Sequence, residues 1–303
     1  MLHLLQSNQP ASWGIIPVLV VLLVAVGAIG SGVSPLEWPP ILGGLGVIAG
    51  SRVIHLMHIE SGMRSKPTGI PSWAWAISAA PLVYITPAEL WWGSVLVLFA
   101  LRLSLTLREG DVSGSPFFWM GMALALAPFL SDSLFLWVLL LPIVALSLRP
   151  FRPSETLAFL LGAVAPIGLY EAHTWWMEGA VHWPWAMEPS NSRVQWPAFG
   201  LLPMAGVGWL TRQKSLSRAT ARQRYARQVT QWTGVFLLGL AALGVGIQVP
   251  GVGDDTLYSA IAFFCAWTLG WVWPKGWKGA RMVPWFMVAM AAGAAYFLGT
   301  TAT

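Results

Sequence analysis

Residues 13–66, WGIIPVLVVLLVAVGAIGSGVSPLEWPPILGGLGVIAGSRVIHLMHIESGMRSK, decide how the whole chain must be read. Two apolar runs, Trp13 to Ser31 and Ile41 to Met57, enclose a gap whose only charge is Glu37. The second run carries Arg52 near its end and gives way to Arg64 and Lys66. A hydrocarbon slab imposes both features. It admits long apolar helices that satisfy their own backbone hydrogen bonds, and it collects Lys and Arg in the gaps that lie on one side.

The rhythm continues outward from that stretch. Further apolar runs are Trp73 to Ile85, Leu90 to Leu107, Phe117 to Leu130, Ser133 to Leu148, Thr156 to Leu169, Pro197 to Leu210, Thr230 to Val249, Leu257 to Trp273 and Met282 to Leu298. Glu89, Asp132 and the Asp254–Asp255 pair punctuate one set of gaps. Arg102 with Arg108, Arg149 with Arg152, a stretch from Arg212 to Arg227, and Lys275, Lys278 and Arg281 punctuate the other. Only Arg193 of the 17 Lys and Arg residues falls on the acidic side. The spacing predicts an all-α polytopic membrane bundle of about 11 transmembrane helices, one integral domain over residues 1–303, with the N-terminus inside and the C-terminus outside. Several runs are shorter than the roughly 20 residues of a perpendicular span, which predicts tilted, kinked or interior helices among them.

Composition agrees. Mean hydropathy is +0.64 and only 10% of residues are charged, far below what a dispersed soluble surface requires. The net charge of +5 sits in short loops, where topology explains it, so no nucleic-acid partner is expected. The lone Cys265 lies inside an apolar run and reads as a small buried hydrophobe. The first apolar run has no polar flank with a small-residue cleavage pattern after it, which predicts a retained anchor. Pro87, Pro128, Pro142, Pro166 and Pro284 predict bends. Gly43, Gly44 and Gly46, and Gly239, Gly244 and Gly246, predict faces along which helices pack closely.

Polar chemistry concentrates in residues 170–196, YEAHTWWMEGAVHWPWAMEPSNSRVQW, read as a Trp-rich outside loop. Tryptophan rings favour the headgroup layer, and flat aromatic faces also stack on sugars, so Trp175, Trp176, Trp183 and Trp185, with His173, His182 and Arg193, form a candidate substrate floor. Glu171, directly after an apolar run, is the candidate catalytic carboxylate there, because desolvation moves a carboxyl toward a useful proton affinity. In a helix it would point away from His173; in an extended segment the two would share a side. Glu37 is the second candidate acid.

On the other side, residues 211–229 form a basic cytoplasmic loop. Its Arg212, Lys214, Arg218, Arg222, Arg224 and Arg227 suit anionic lipid headgroups or an acidic partner surface. His55 and His58 share a helical face beside Glu60 and read as a water-edge helix end. Arg52 and Arg102 read as cations that snorkel to the inner boundary. Glu89, after Thr86 and Pro87, reads as a first-turn acid, and the remaining outside acids read as solvated turn residues or helix starts. Neither a phosphate-binding glycine loop, nor a nucleophile elbow, nor a metal box occurs, so no cofactor and no metal are expected.

Two resemblances follow from particular strings. SNQP at Ser7 to Pro10, and RPFRPSE at Arg149 to Glu155 followed by LLGAVAPIGLYEAHTWW, resemble a family of multi-pass inner-membrane proteins from Bacteroidetes that is sometimes given a carotene-oxygenase label. That resemblance implies a bacterial inner-membrane location and no activity. More distantly, Ile41 to Trp176 is similar in rhythm to membrane glycosyltransferases that use polyprenyl-phosphate sugars. Those enzymes hold an essential acid in the first outside loop, where this chain has Glu37. The expectation is therefore a noncatalytic, partner-binding or scaffold subunit of a cell-envelope assembly, in contact with the bilayer and with other envelope proteins. The alternative is a glycosyltransferase or carrier acting on a polyprenyl-linked sugar at the outer face.

Overall fold

Proline and glycine set most of the helix ends. The computed structural model describes residues 10–32, 38–60, 69–106, 114–138, 152–180, 232–243, 254–271 and 283–302. Nearly all of these are helical, and no strand occurs among them. Helix α1 spans Pro10–Ser31 and α2 spans Trp38–Glu60. Helix α3 spans only Ile70–Ala79, because Pro81 has no N–H to continue the ladder; the backbone tightens into a 3-10 turn over Ala80–Tyr84. Helix α4 follows over Ala88–Thr106, α5 over Ser115–Leu130, and a second 3-10 turn over Asp132–Leu134. Helix α6 runs over Pro153–Glu178, from a proline in its first turn to Gly179, whose φ of 67° supplies the left-handed cap that other residues adopt at a cost. Helices α7, Trp232–Leu243, α8, Asp254–Trp271, and α9, Val283–Ala302, complete the described set.

Among the described residues four helical windows are long and apolar enough to cross a membrane: Gly14–Ser31, Pro39–Glu60, Ala88–Leu105 and Pro153–Glu178. They coincide with four of the expected runs. The rest of the expected set is shorter, as at Ser115–Leu130, or extends beyond the described residues, as do Pro197 to Leu210 and Thr230 to Val249.

The bundle is built around α3, every residue of which is buried. Helix α8 lies along one side of it and α2 along another, with α1 and α9 packed together nearby. Tertiary bonds hold α3 in place. Trp75 Nε1 donates to the Val47 carbonyl at 3.0 Å, and Ser78 Oγ lies within hydrogen-bond distance of the Ala74, Trp75 and Ala262 carbonyls. The Trp75 ring packs edge-on to Trp91 of α4 at 5.8 Å and against Phe263 of α8 at 5.0 Å. At the end of the following 3-10 turn, Trp91 Nε1 donates to Thr86 Oγ1, which donates to the Leu82 carbonyl.

Small residues let these backbones approach. A Cβ on Gly46 would meet Trp91 at 2.9 Å, and one on Gly50 would meet Trp75 Nε1 at 2.8 Å. The glycine face of α2 is thus consumed inside the bundle rather than left open. Gly239 borders open space, and Gly244 and Gly246 lie outside the described residues. A crossing that the glycine pattern did not signal joins α5 to α6. A Cβ on Gly121 would fall on the Phe159 carbonyl, and one on Gly162 on the Phe118 carbonyl. Helix α6 attaches to the bundle chiefly through this crossing.

Candidate functional site

Helix α2 carries its polar groups at a spacing that gathers them. Ser51, His55 and His58 are four and three residues apart, so they share one face, and all three are buried. Ser51 Oγ donates to the Ile48 carbonyl at 2.7 Å. His58 Nδ1 lies 2.7 Å from the Ile54 carbonyl, which requires that nitrogen to carry a proton. The expectation of a water-edge helix end is corrected: neighbouring helices cover both rings, and the apolar residues around them gave no sign of it. Glu60, at the end of α2, accepts from Arg102 of α4 through both oxygens, at 2.7 Å from Nε and 2.5 Å from a terminal nitrogen. Arg102 therefore does not simply snorkel. It closes a two-pronged ion pair whose side chains remain 24% and 37% exposed, and which places the C-terminal ends of α2 and α4 on the same side of the bundle.

Beside this stripe, between α1 and α2, lies a half-open cleft of about 290 Å³ lined by Ile16, Pro17, Ile48, Ser51 and Arg52. Arg52 is exposed along it.

The residues expected on the other side divide into two groups. Glu171, His173, Trp175 and Trp176 belong to the last turns of α6, so the first nine residues of the expected loop are helical. The helix turns Glu171 and His173 about 200° apart, as the helical alternative required. Glu171 is partly buried, with an Oε2 that is shielded from solvent and has no hydrogen-bond partner; His173 is exposed. Trp175 and Trp176 are 61% and 81% exposed, and Thr174, buried between them and the core, donates from Oγ1 to the Glu171 carbonyl at 3.1 Å. Glu37, His182, Trp183, Trp185 and Arg193, with Arg212, Lys214, Arg218, Arg222, Arg224 and Arg227, lie outside the described residues.

Of the remaining outside acids, expected as solvated turn residues or helix starts, Glu89, Asp254 and Asp255 are helix starts, in the first turns of α4 and α8. Glu89 is exposed in the first turn of α4, as expected, whereas Asp254 is buried and Asp255 partly so. Asp255 precedes the apolar run that begins at Leu257. Burial, and then the charge of Asp254, push its carboxyl up to about 6. Asp132, in the turn that packs against α8, is raised by burial as well. Cys265 is buried, as expected. Among the described residues no group of three or more His, Cys, Asp or Glu is placed to share a metal ion.

Comparison with family models, with characterised proteins and with solved structures returned no match to this chain.

Proposed function

We propose that the chain is a multi-pass inner-membrane protein, N-terminus inside, that serves as a noncatalytic partner-binding subunit of a cell-envelope assembly and docks its partner on α6. The observation that supports this reading is the one-sidedness of that helix. Over 26 residues only Gly162, Pro166 and Thr174 are buried, while Leu157, Leu160, Leu161, Val164 and Leu169 stand exposed along its length. At about 39 Å, α6 is long enough to cross a hydrocarbon core, and its open face offers a partner helix an uninterrupted apolar ridge. Acyl chains satisfy such a face too, so the test must tell lipid from protein. A photo-crosslinking residue at Leu161 is expected to capture another envelope protein in intact membranes. Val164→Trp, which lipid tolerates and a packed helix does not, is expected to abolish that capture at unchanged abundance. Capture of lipid alone would end this reading.

A second reading is supported by Glu171. A carboxylate with one shielded oxygen, four residues before a pair of exposed tryptophans, suits proton transfer to a polyprenyl-phosphate-linked sugar at the outer face. On this reading Glu171→Gln and Glu37→Gln each fail to complement a deletion strain while accumulating normally. Complementation by both variants removes it.

A further inference from the structure

The open ridge of α6 does not stay apolar along its whole length. Helical spacing puts Glu171 on it, three residues after Gly168, seven after Val164 and four before Trp175, all of them exposed. Glu171 itself is only partly exposed. Its Oε2 is shielded from solvent and has no hydrogen-bond donor, and no salt bridge reaches it among the described residues. On the membrane-spanning reading it stands about 27 Å along the helix from Pro153, near the far edge of a hydrocarbon core about 30 Å thick. A carboxylate oxygen there gives up water and gains no donor in exchange. The other groups on α6 that could donate do not face it. Arg152 is at the opposite end of the helix, bonded to Glu155, and His173 is turned about 200° away.

We propose, resting on the docking of a partner along α6, that this partner is a different membrane protein whose docked helix carries a lysine or arginine at its outer end, placed to donate to Glu171. Continuity and charge complementarity support it together. A helix laid along Val164 and Gly168 passes over Glu171 within one further turn, because positions three and four apart form a single stripe. Gly168 borders open space, so a second backbone can come close at that level. A long cationic side chain reaches such a depth from the headgroup layer with its stem on apolar surface. The leucines of the ridge give little specificity, since acyl chains match them as well. The carboxylate does give it, because a helix without a donor leaves that oxygen buried and unmatched. A second copy of this chain does not fit. Copies share one orientation in the membrane, so a two-fold axis along the membrane normal sets carboxylate beside carboxylate.

The test starts from the photo-crosslinking residue at Leu161 in intact membranes. Glu171→Gln is expected to lower the captured fraction about tenfold at unchanged abundance, the effect of losing one hydrogen bond to a charged group. Glu171→Lys is expected to abolish capture. Changing the basic residue of the captured peptide, located by mass spectrometry, to an acid is expected to restore capture by that variant. In detergent the purified full chain with Glu171→Gln is expected to melt no lower than wild type, since it loses no internal partner. Capture that withstands Glu171→Gln, or a captured peptide without Lys or Arg, overturns the proposal and leaves the docking reading standing. Capture of a second copy overturns it too, and capture of lipid alone removes both readings. A lower melting temperature for Glu171→Gln also overturns it, because a donor within this chain then already serves the carboxylate.

Discussion

Helix α3 and the end of α6 each carry a closely spaced pair of tryptophans, and the bundle treats the pairs in opposite ways. Trp73 and Trp75 are 0% exposed, whereas Trp175 and Trp176 are 61% and 81% exposed. The difference arises in what surrounds each helix. Helix α3 ends after ten residues at a proline-induced turn and is enclosed by α2 and α8, with α4 contributing Trp91. Helix α6 is long, tied down along one edge by a glycine crossing, and open elsewhere. In the first setting the rings act as packing, and Trp75 is also a fixed hydrogen-bond donor. In the second they are available to lipid or partner.

Breaking the enclosed side should have the largest effect. Trp75→Ala removes a fully buried ring and leaves the Val47 carbonyl without its indole donor, so it is expected to destabilise the protein by about 3–5 kcal/mol, read as a lower melting temperature in detergent. Gly162→Val attacks the open side at its close crossing with α5. The new side chain would collide with the Phe118 carbonyl, at an expected cost of about 1–3 kcal/mol. A loss as large as that of Trp75→Ala would mean that α6 is as deeply integrated as α3.

A pH titration sharpens the comparison on the enclosed side, because α8 packs on α3. The folded-state pKa of Asp255 is raised, so the fold favours its protonated form. That contribution is complete below about pH 4, where the unfolded carboxyl is protonated too, and is lost as pH rises through about 6. The melting temperature is expected to fall by roughly 3 °C between pH 4 and pH 7, and Asp255→Asn should flatten the slope. A flat wild-type profile would show that Asp255 is better hydrated than its position implies. The smallest effect belongs to Trp176→Ala, expected within about 0.5 kcal/mol of wild type. A larger loss would show that the end of α6 is covered rather than open.

Much of the architecture was legible in the residues. The apolar runs marked α1, α2, α4 and the first part of α6, because a helix that satisfies its own backbone leaves a continuous hydropathy record. The shortness of Trp73 to Ile85 anticipated an interior element. Other features left no local record. Arg102 and Glu60 are 42 residues apart in the chain, and neither has a neighbour that signals the other. The burial of His55 and His58 follows from helices that arrive from elsewhere, although their own spacing did announce a shared face. Glu171 and His173 were divided by a choice between helix and loop that the tryptophans obscured, since interfacial aromatics continue past the end of an apolar run without ending the helix.

By itself the sequence determined that the chain is helical, where its long apolar helices run, and which gaps collect positive charge. These follow from hydrogen bonding and hydration acting over a few neighbouring residues. Only the tertiary structure decided which tryptophans are core, which glycines touch another backbone, and that Arg102 meets Glu60 across 42 residues of chain. Those outcomes depend on contacts between segments far apart in the chain, where shape and distance in space select among faces that hydropathy ranks alike.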